Sequence, residues 1–207
     1  MTTVCFVRHA RSTYNAEGRM AGFHDPPLSA EGRREAMLTA AHLRETSFAA
    51  AYSSPLRRSL ETARIVWGGR PAPIAEAPAI RELDMGEFSG QKWNDVLRNF
   101  PMVFLDEKIS FWQLFAHDRI PGQEPFQTAV ERIMGFFSQV AVTHADQTIM
   151  VVAHKGVLEV FLSQTIGFDP CFDWFEITGA SITVFEISAE KRAKIVTLNQ
   201  CPGQRPI

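Results

Sequence analysis

The stretch Thr3-Val-Cys-Phe-Val-Arg-His-Ala-Arg-Ser12 decides how the chain is read. Thr3 to Val7 is a run of β-branched and aromatic residues, the mark of a short buried strand. Arg8 to Ser12 then bring two guanidiniums, an imidazole and a hydroxyl, a cluster too polar to continue that strand. In α/β proteins ligands bind beyond the carboxyl ends of strands, so this transition marks both an element and a candidate site.

The pattern repeats along the chain. Phe48 to Tyr52 reads as a second strand, followed by Ser54 as a helix N-cap and Pro55 at the first helical position. Leu56, Leu60, Ala63 and Trp67 mark the buried face of that helix. Arg57 and Arg58 are adjacent and about 100° apart on it, so only one faces a crevice. Ile74 to Ile80 is an irregular third strand, weakened by Pro78, and Glu82 follows it. Gln147 to Ala153 contains an unbroken apolar run, a fully buried strand, with His154 just past it and a helix from Val157 to Ile166. Between these lie a helix capped by Ser29 and a helix from Pro125 to Val142. Ser181 to Ser188 and Lys194 to Leu198 read as two strands joined by a charged turn. The expected fold is a single α/β domain over residues 1–207. It has three layers, with a mixed, mostly parallel sheet and helices on both faces. A helical, aromatic-rich insertion occupies about residues 91–120.

The 207 residues are 45% hydrophobic and 21% charged, ordinary for a chain that buries its own core. Twenty-one Lys+Arg against 23 Asp+Glu give a net charge of -2, without the basic excess a nucleic-acid partner demands. Cys5, Cys171 and Cys201 form no C-x-x-C pair, which argues against a disulfide framework or zinc knuckle and for a reducing compartment. No apolar stretch reaches membrane-span length, and the first residues lack the charged region of a signal peptide. The expectation is a cytoplasmic protein with neither membrane nor nucleic acid as partner.

Arg8 and His9, one of Arg57 and Arg58, Glu82 and His154 all follow expected strands, so one crevice can collect them. Guanidiniums present forked donors that match a tetrahedral phosphate. A neutral imidazole is a competent nucleophile toward phosphorus, and a second imidazole can donate to the same oxygens. A carboxyl group held protonated by burial can protonate the leaving alkoxide and later deprotonate water. This chemistry needs no metal or other cofactor. No histidine of the chain stands in an H-x-H or H-E-x-x-H ligand pattern, so no metal site is expected. Cys5 in its core strand is read as packing rather than as a nucleophile.

Five segments resemble the histidine phosphatase superfamily, the phosphoglycerate mutase-like proteins, and they occur in family order. They are Phe6-Val-Arg-His-Ala-Arg-Ser-Thr-Tyr-Asn15, Gly22-Phe-His-Asp-Pro-Pro-Leu-Ser-Ala-Glu-Gly32, Ser53-Ser-Pro-Leu-Arg-Arg-Ser-Leu-Glu-Thr-Ala63, Glu82 with Gly86 and Gly90, and Val151-Val-Ala-His-Lys-Gly156. The resemblance implies that His9 accepts the phosphoryl group and that Glu82 is the proton donor. It also implies that Arg8, Arg58 and His154 complete the phosphate pocket, with Asn15 and the adjacent Ser12 as further phosphate contacts. It selects Arg58 over Arg57.

Two positions depart from the family pattern. Ala10 and Lys155 stand where the family commonly has glycine. Ala10 fits if its backbone is not left-handed. Lys155 is either a surface residue at a helix start or an extra cation favouring a doubly anionic phosphate. Pro121 to Glu124 resembles a family turn, which would bring Glu124 to the substrate. The implied activity is that of a metal-independent phosphomonoesterase of the histidine acid type. It would act on a small-molecule phosphate ester through a phosphohistidine intermediate. Phosphoglycerate mutase-type transfer, phosphohistidine protein phosphatase activity and phosphate binding without turnover are the alternatives. The aromatic insertion either packs on the core or on a second subunit, as in a homodimer, or forms an apolar wall of the pocket.

Overall fold

The computed structural model describes residues 1–104, 110–167, 176–190 and 192–203. Cys171, Lys191 of the charged turn and residues 105–109 of the expected insertion lie outside the described residues. The elements run β1 (Thr2–Arg8), α1 (Thr13–Glu17), α2 (Ala30–His42), β2 (Ala50–Ser53), α3 (Arg57–Trp67), β3 (Ile74–Glu76), α4 (Trp93–Asn99), α5 (Phe111–Ala116), α6 (Phe126–Thr143), β4 (Thr148–Ala153), α7 (Lys155–Ile166), β5 (Ile182–Ile187) and β6 (Ala193–Gln200).

The strands form one sheet in the order β3-β2-β4-β1-β5-β6. β3, β2, β4 and β1 are mutually parallel, and β5 runs antiparallel to both β1 and β6. The mixed, mostly parallel α/β sheet expected from sequence is the one observed.

The period-2 alternation of strands explains how both faces are covered. Val4 and Phe6 of β1, with Ile149, Val151 and Ala153 of β4, join a core that includes Ile133 and Phe137 of α6 and Val157 and Phe161 of α7. Cys5 and Val7, with Met150 and Val152, point the other way onto Ala63, Val66 and Trp67 of α3. Both central strands are therefore apolar at successive positions, as a sheet buried on two sides requires. Burial pushes the Cys5 thiol up to about 12, in keeping with a packing role.

The aromatic segment forms α4, a 3-10 turn at Pro101–Phe104, and α5. Val96, Trp112 and Phe115 join the main core, so the segment packs as well as projects.

The start of α3 departs from expectation. Its N-cap is Leu56, without a side-chain capping bond, and Ser54 and Pro55 precede the helix. The Ser54 hydroxyl is instead engaged with the ring of His154, at 2.8 Å. The Ser29 cap on α2 is present and accepts from the Gly32 amide.

Candidate active site

Strand register brings the two imidazoles together. Arg8 and Ala153 are Cα partners at the ends of the parallel strands β1 and β4. The next residue on each strand is a histidine, and the His9 amide still donates to the Ala153 carbonyl at 2.8 Å. The two rings lie 5.0 Å apart between centroids.

The hydrogen bonds of His9 assign its tautomer. Nδ1 of His9 lies 2.8 Å from the Ala10 carbonyl, which can only accept, so Nδ1 carries the hydrogen. Nε2 then presents its lone pair, which receives the Arg58 Nε–H at 3.3 Å. In His154, Nε2 meets the Ser54 and Ser59 hydroxyls at 2.8 and 3.3 Å. The Ser54 oxygen also accepts from the Leu56 amide, and its proton can be given to His154 Nε2. With Nε2 accepting from a serine, His154 Nδ1–H is a buried donor without a partner among the described residues, and so is Arg8 Nε–H. Buried donors of this kind are expensive unless something fills them. Two of them beside a histidine lone pair suit an oxyanion.

Arg58 is wholly buried, and its remaining N–H groups explain why it can be. Nη1 donates to the His24 carbonyl at 2.7 Å and Nη2 to the Gly22 carbonyl at 3.0 Å. Burial lowers its pKa to about 10, which leaves it charged at neutral pH. Arg57 points outward and pairs with Glu61 at 2.9 Å. Arg8 donates to the Ile177 carbonyl through Nη1.

Glu82 is buried on the same cavity wall and accepts from the Leu83 amide at 3.0 Å. Burial raises its pKa, against the opposing pull of Arg58 and then of Leu83, Arg8 and Arg132. Burial and the Arg58 and Arg8 charges hold His9 well below its ordinary 6.5. His154 is held down by burial, Arg58 and His9. The site therefore disfavours protonation of the His9 nitrogen and favours it at the Glu82 carboxyl, the direction of shift that general acid catalysis requires.

The cavity measures about 380 Å³. Arg8, His9, Asn15, Arg58, Glu82 and Lys155 line it, joined by Arg19, Glu159 and the aromatic side chains Trp93, Phe111 and Trp112. The aromatic segment is thus both core and pocket wall.

Several expected contacts resolve differently. Ser12 is buried off the cavity wall and caps α1, bonding the Asn15 amide and Asn15 Oδ1. Its structural task is to hold Asn15, which does reach the wall. His154 is also wholly buried and contributes no wall surface. Glu124 does not line the cavity; it clasps Arg132 through both oxygens at 2.5 and 2.9 Å. Lys155 is on the wall and pairs with Glu159 at 3.5 Å, so it is not simply an added cation for a second anion. Ala10 has no positive φ, and so accepts its methyl group without strain. Among the described residues, no three His, Cys, Asp or Glu side chains group as metal ligands. No helix among them is long and apolar enough to cross a membrane.

The structure also adds residues that sequence reading passed over. Arg132 of α6 donates to the carbonyls of Ala79, Arg81 and Glu82 at 2.7 to 2.9 Å, fixing the loop that carries Glu82. An isolated arginine within an amphipathic helix gives no signal of this. Ser54 and Ser59 orient His154, and Ser54 reads from sequence as a helix cap.

A sequence model of the histidine phosphatase superfamily (branch 1) matches residues 4–200. The chain is 31% identical over 201 residues to phosphoserine phosphatase 1 of Hydrogenobacter thermophilus, covering 96% of this chain and 92% of that one. It is 27% identical to the adenosylcobalamin/alpha-ribazole phosphatase of Escherichia coli over 93% of both chains. Among solved structures, Bacillus stearothermophilus YhfR superposes with a TM-score of 0.85 at 27% identity, over 97% of this chain and 98% of that one.

Proposed function

The chain belongs to the histidine phosphatase superfamily, branch 1, and from that footing we propose that it is a phosphatase of the histidine acid type, hydrolysing small-molecule phosphate monoesters through a phosphohistidine at His9. The observation that carries this reading is the pairing at His9. Its Nδ1 is tied to the Ala10 carbonyl, and its Nε2 accepts from Arg58 Nε–H beside the cavity that His9 and Glu82 line together.

In the first step His9 Nε2 attacks phosphorus and the ester P–O bond breaks. Glu82 gives its proton to the departing oxygen, so the alcohol leaves neutral. Arg8 and Arg58 neutralise the equatorial oxygens, with Asn15 beside them on the wall, while the buried His154 ring packs against that of His9 from behind. In the second step a water oxygen attacks phosphorus, the Glu82 carboxylate takes its proton, and the P–N bond breaks to return the lone pair to Nε2. The charges that change are all met by this chain's own side chains, in a site partly screened from water by Trp93, Phe111 and Trp112. The enclosing aromatic wall favours a small ester over an extended phosphohistidine peptide.

We assign residues about 91–120 as the insertion that supplies this wall, and the cytoplasm as the site of action. Hydrolysis of p-nitrophenyl phosphate in EDTA, from pH 5 to 8, tests the activity. Turnover by the wild type and none by a folded His9→Ala variant is the expected result. Equal turnover by both would overturn the role of His9. Phosphate binding without turnover in the wild type would favour the binding-module alternative.

A further inference from the structure

Thr62 of α3 is wholly buried, and its hydroxyl joins two of the segments that build the site. Its oxygen accepts from the Ala10 amide at 3.0 Å, and its proton goes to the Arg58 carbonyl at 2.7 Å. Both directions follow from the partners, since an amide only donates and a carbonyl only accepts. A helical threonine often bonds back to the carbonyl four residues earlier, and that contact alone would carry no meaning. The Ala10 amide is a different partner. It lies 52 residues away in sequence, on the turn that follows β1.

The hydrogen bonds of Thr62 close a circuit around the nucleophile. The Ala10 carbonyl receives Nδ1–H of His9 at 2.8 Å, and Nε2 of His9 receives Nε–H of Arg58 at 3.3 Å. The Arg58 carbonyl receives the Thr62 hydroxyl proton, and the Thr62 oxygen receives the Ala10 amide. The imidazole and the guanidinium are thus tied twice, once directly and once through Thr62. The other side of the same peptide is also held. The Ala180 amide is shared between the Arg8 and His9 carbonyls at 3.1 and 3.4 Å, and Thr39 of α2 donates to the Ala180 carbonyl at 2.7 Å.

Without the Thr62 hydroxyl, the Ala10 amide becomes a buried donor that has lost its acceptor, a costly state. Turning that amide toward another acceptor rotates Ala10, and with it the carbonyl that holds Nδ1. The ring then loses the bond that assigns its tautomer.

We propose that Thr62 is a positioning residue, setting the tautomer and direction of the His9 ring relative to Arg58 through the Ala10 peptide. Its consequence for turnover rests on the phosphomonoesterase reading above.

The experiment compares Thr62→Val, which keeps the shape and loses the hydroxyl, with Thr62→Ser, which keeps the hydroxyl. Side-chain nitrogen NMR of isotope-labelled histidine at neutral pH reads the tautomer without any turnover, and the His9 signals are those missing from His9→Ala. The wild type and Thr62→Ser are expected to show Nδ1 protonated and Nε2 bare, and Thr62→Val a mixture of tautomers. For p-nitrophenyl phosphate, Thr62→Val should lower kcat about 10²-fold, the scale for a misplaced reacting group, with KM nearly unchanged. Thr62→Ser should retain most of the activity. Unchanged His9 signals or an unchanged kcat in folded Thr62→Val overturns the proposal, and so does an equal loss in Thr62→Ser, which would trace the effect to packing. If Thr62→Val does not fold, Thr62→Cys, of similar size and a weak acceptor, is held to the same criteria. A wild type that hydrolyses no ester overturns the phosphatase reading, while the His9 signals still decide the role of Thr62.

Discussion

Arg58 Nε stands 3.3 Å from His9 Nε2, so a permanent cation and the lone pair of a neutral imidazole share one small volume. Burial first, and then this cation, disfavour protonation of that imidazole. The cation also lies where the charge of a bound phosphoryl group would fall. In the proposed reaction one side chain would prepare both the nucleophile and the place of its target, and two loop carbonyls hold it in position.

Arg58→Lys tests this coupling. Lysine keeps the charge and loses the fork, so it cannot serve His9 and both carbonyls together. We expect kcat for p-nitrophenyl phosphate to fall about 10²–10³-fold, the scale for losing one preorganised donor. The carbonyls left unpaired should lower stability by about 1–3 kcal/mol in urea unfolding. An unchanged kcat in a folded variant would remove Arg58 from the chemistry.

The activity profile should fall at high pH because of Glu82. Burial raises its pKa, so it holds the proton needed by the leaving group above the ordinary 4.5 and loses it as pH rises through the elevated value. Glu82→Gln cannot transfer a proton at any pH. Its residual kcat for a poor alcohol leaving group should lack that descending limb, while an aryl phosphate, whose leaving group needs less help, should suffer less.

Stability should depend on pH in two opposed ways. His9 and His154 have folded pKa values below 6.5, so their contribution is complete above 6.5 and is lost as pH falls below it. Each can supply a slope of up to about 1.4 kcal/mol per pH unit. Glu82 has the opposite sign: its raised value contributes stability below 4.5 that is lost as pH rises through the folded pKa. Urea midpoints between pH 5 and 7 should show His154→Gln flattening the acid-side loss. Glu82→Gln should steepen it and stabilise the protein at pH 7.

Gly156 is required by proximity rather than by its dihedral angles. A Cβ at this position would lie 2.5 Å from Glu82 Oε1 and 2.8 Å from a Leu83 methyl. Gly156→Ala should push the carboxyl away and cost about 1–3 kcal/mol of stability. We expect kcat to drop with little change in KM, and the high-pH limb of the profile to move. A profile identical to the wild type would show that the carboxyl had not been displaced.

Arg132→Ala should act at a distance from the cavity. The Arg132–Glu124 pair is largely buried, with side chains 15% and 12% exposed. Removing one member of such a pair costs about 3–5 kcal/mol. It also frees three carbonyls of the Glu82 loop. Thermal unfolding should report the loss. Glu124→Gln, which keeps the shape and part of the hydrogen bonding, should lose less stability and retain more activity.

The sequence by itself determined the alternation of strands and helices, because a period of two and a period of 3.6 are written locally in residues such as Thr3 to Val7 and Phe126 to Val140. It also determined which polar residues follow strands, and hence that Arg8, His9, Glu82 and His154 gather at one end of the sheet. The choice between Arg57 and Arg58 was legible in the motif resemblance, and one helical step of about 100° gives it a physical basis. Only tertiary structure decided the rest. Ser54 is an N-cap by local chemistry, yet a histidine 100 residues away takes its hydroxyl. Ser12 and Glu124 carry the right atoms for a ligand, yet Asn15 and Arg132 hold them. Glu159 carries no signal in the sequence, yet the fold pairs it with Lys155 on the wall of the cavity that holds His9. Periodicity is a property of neighbours along the chain. The partner a hydroxyl or carboxylate satisfies is set by what the folded chain brings within 3 Å of it, and long-range contacts of that kind leave no mark on local sequence.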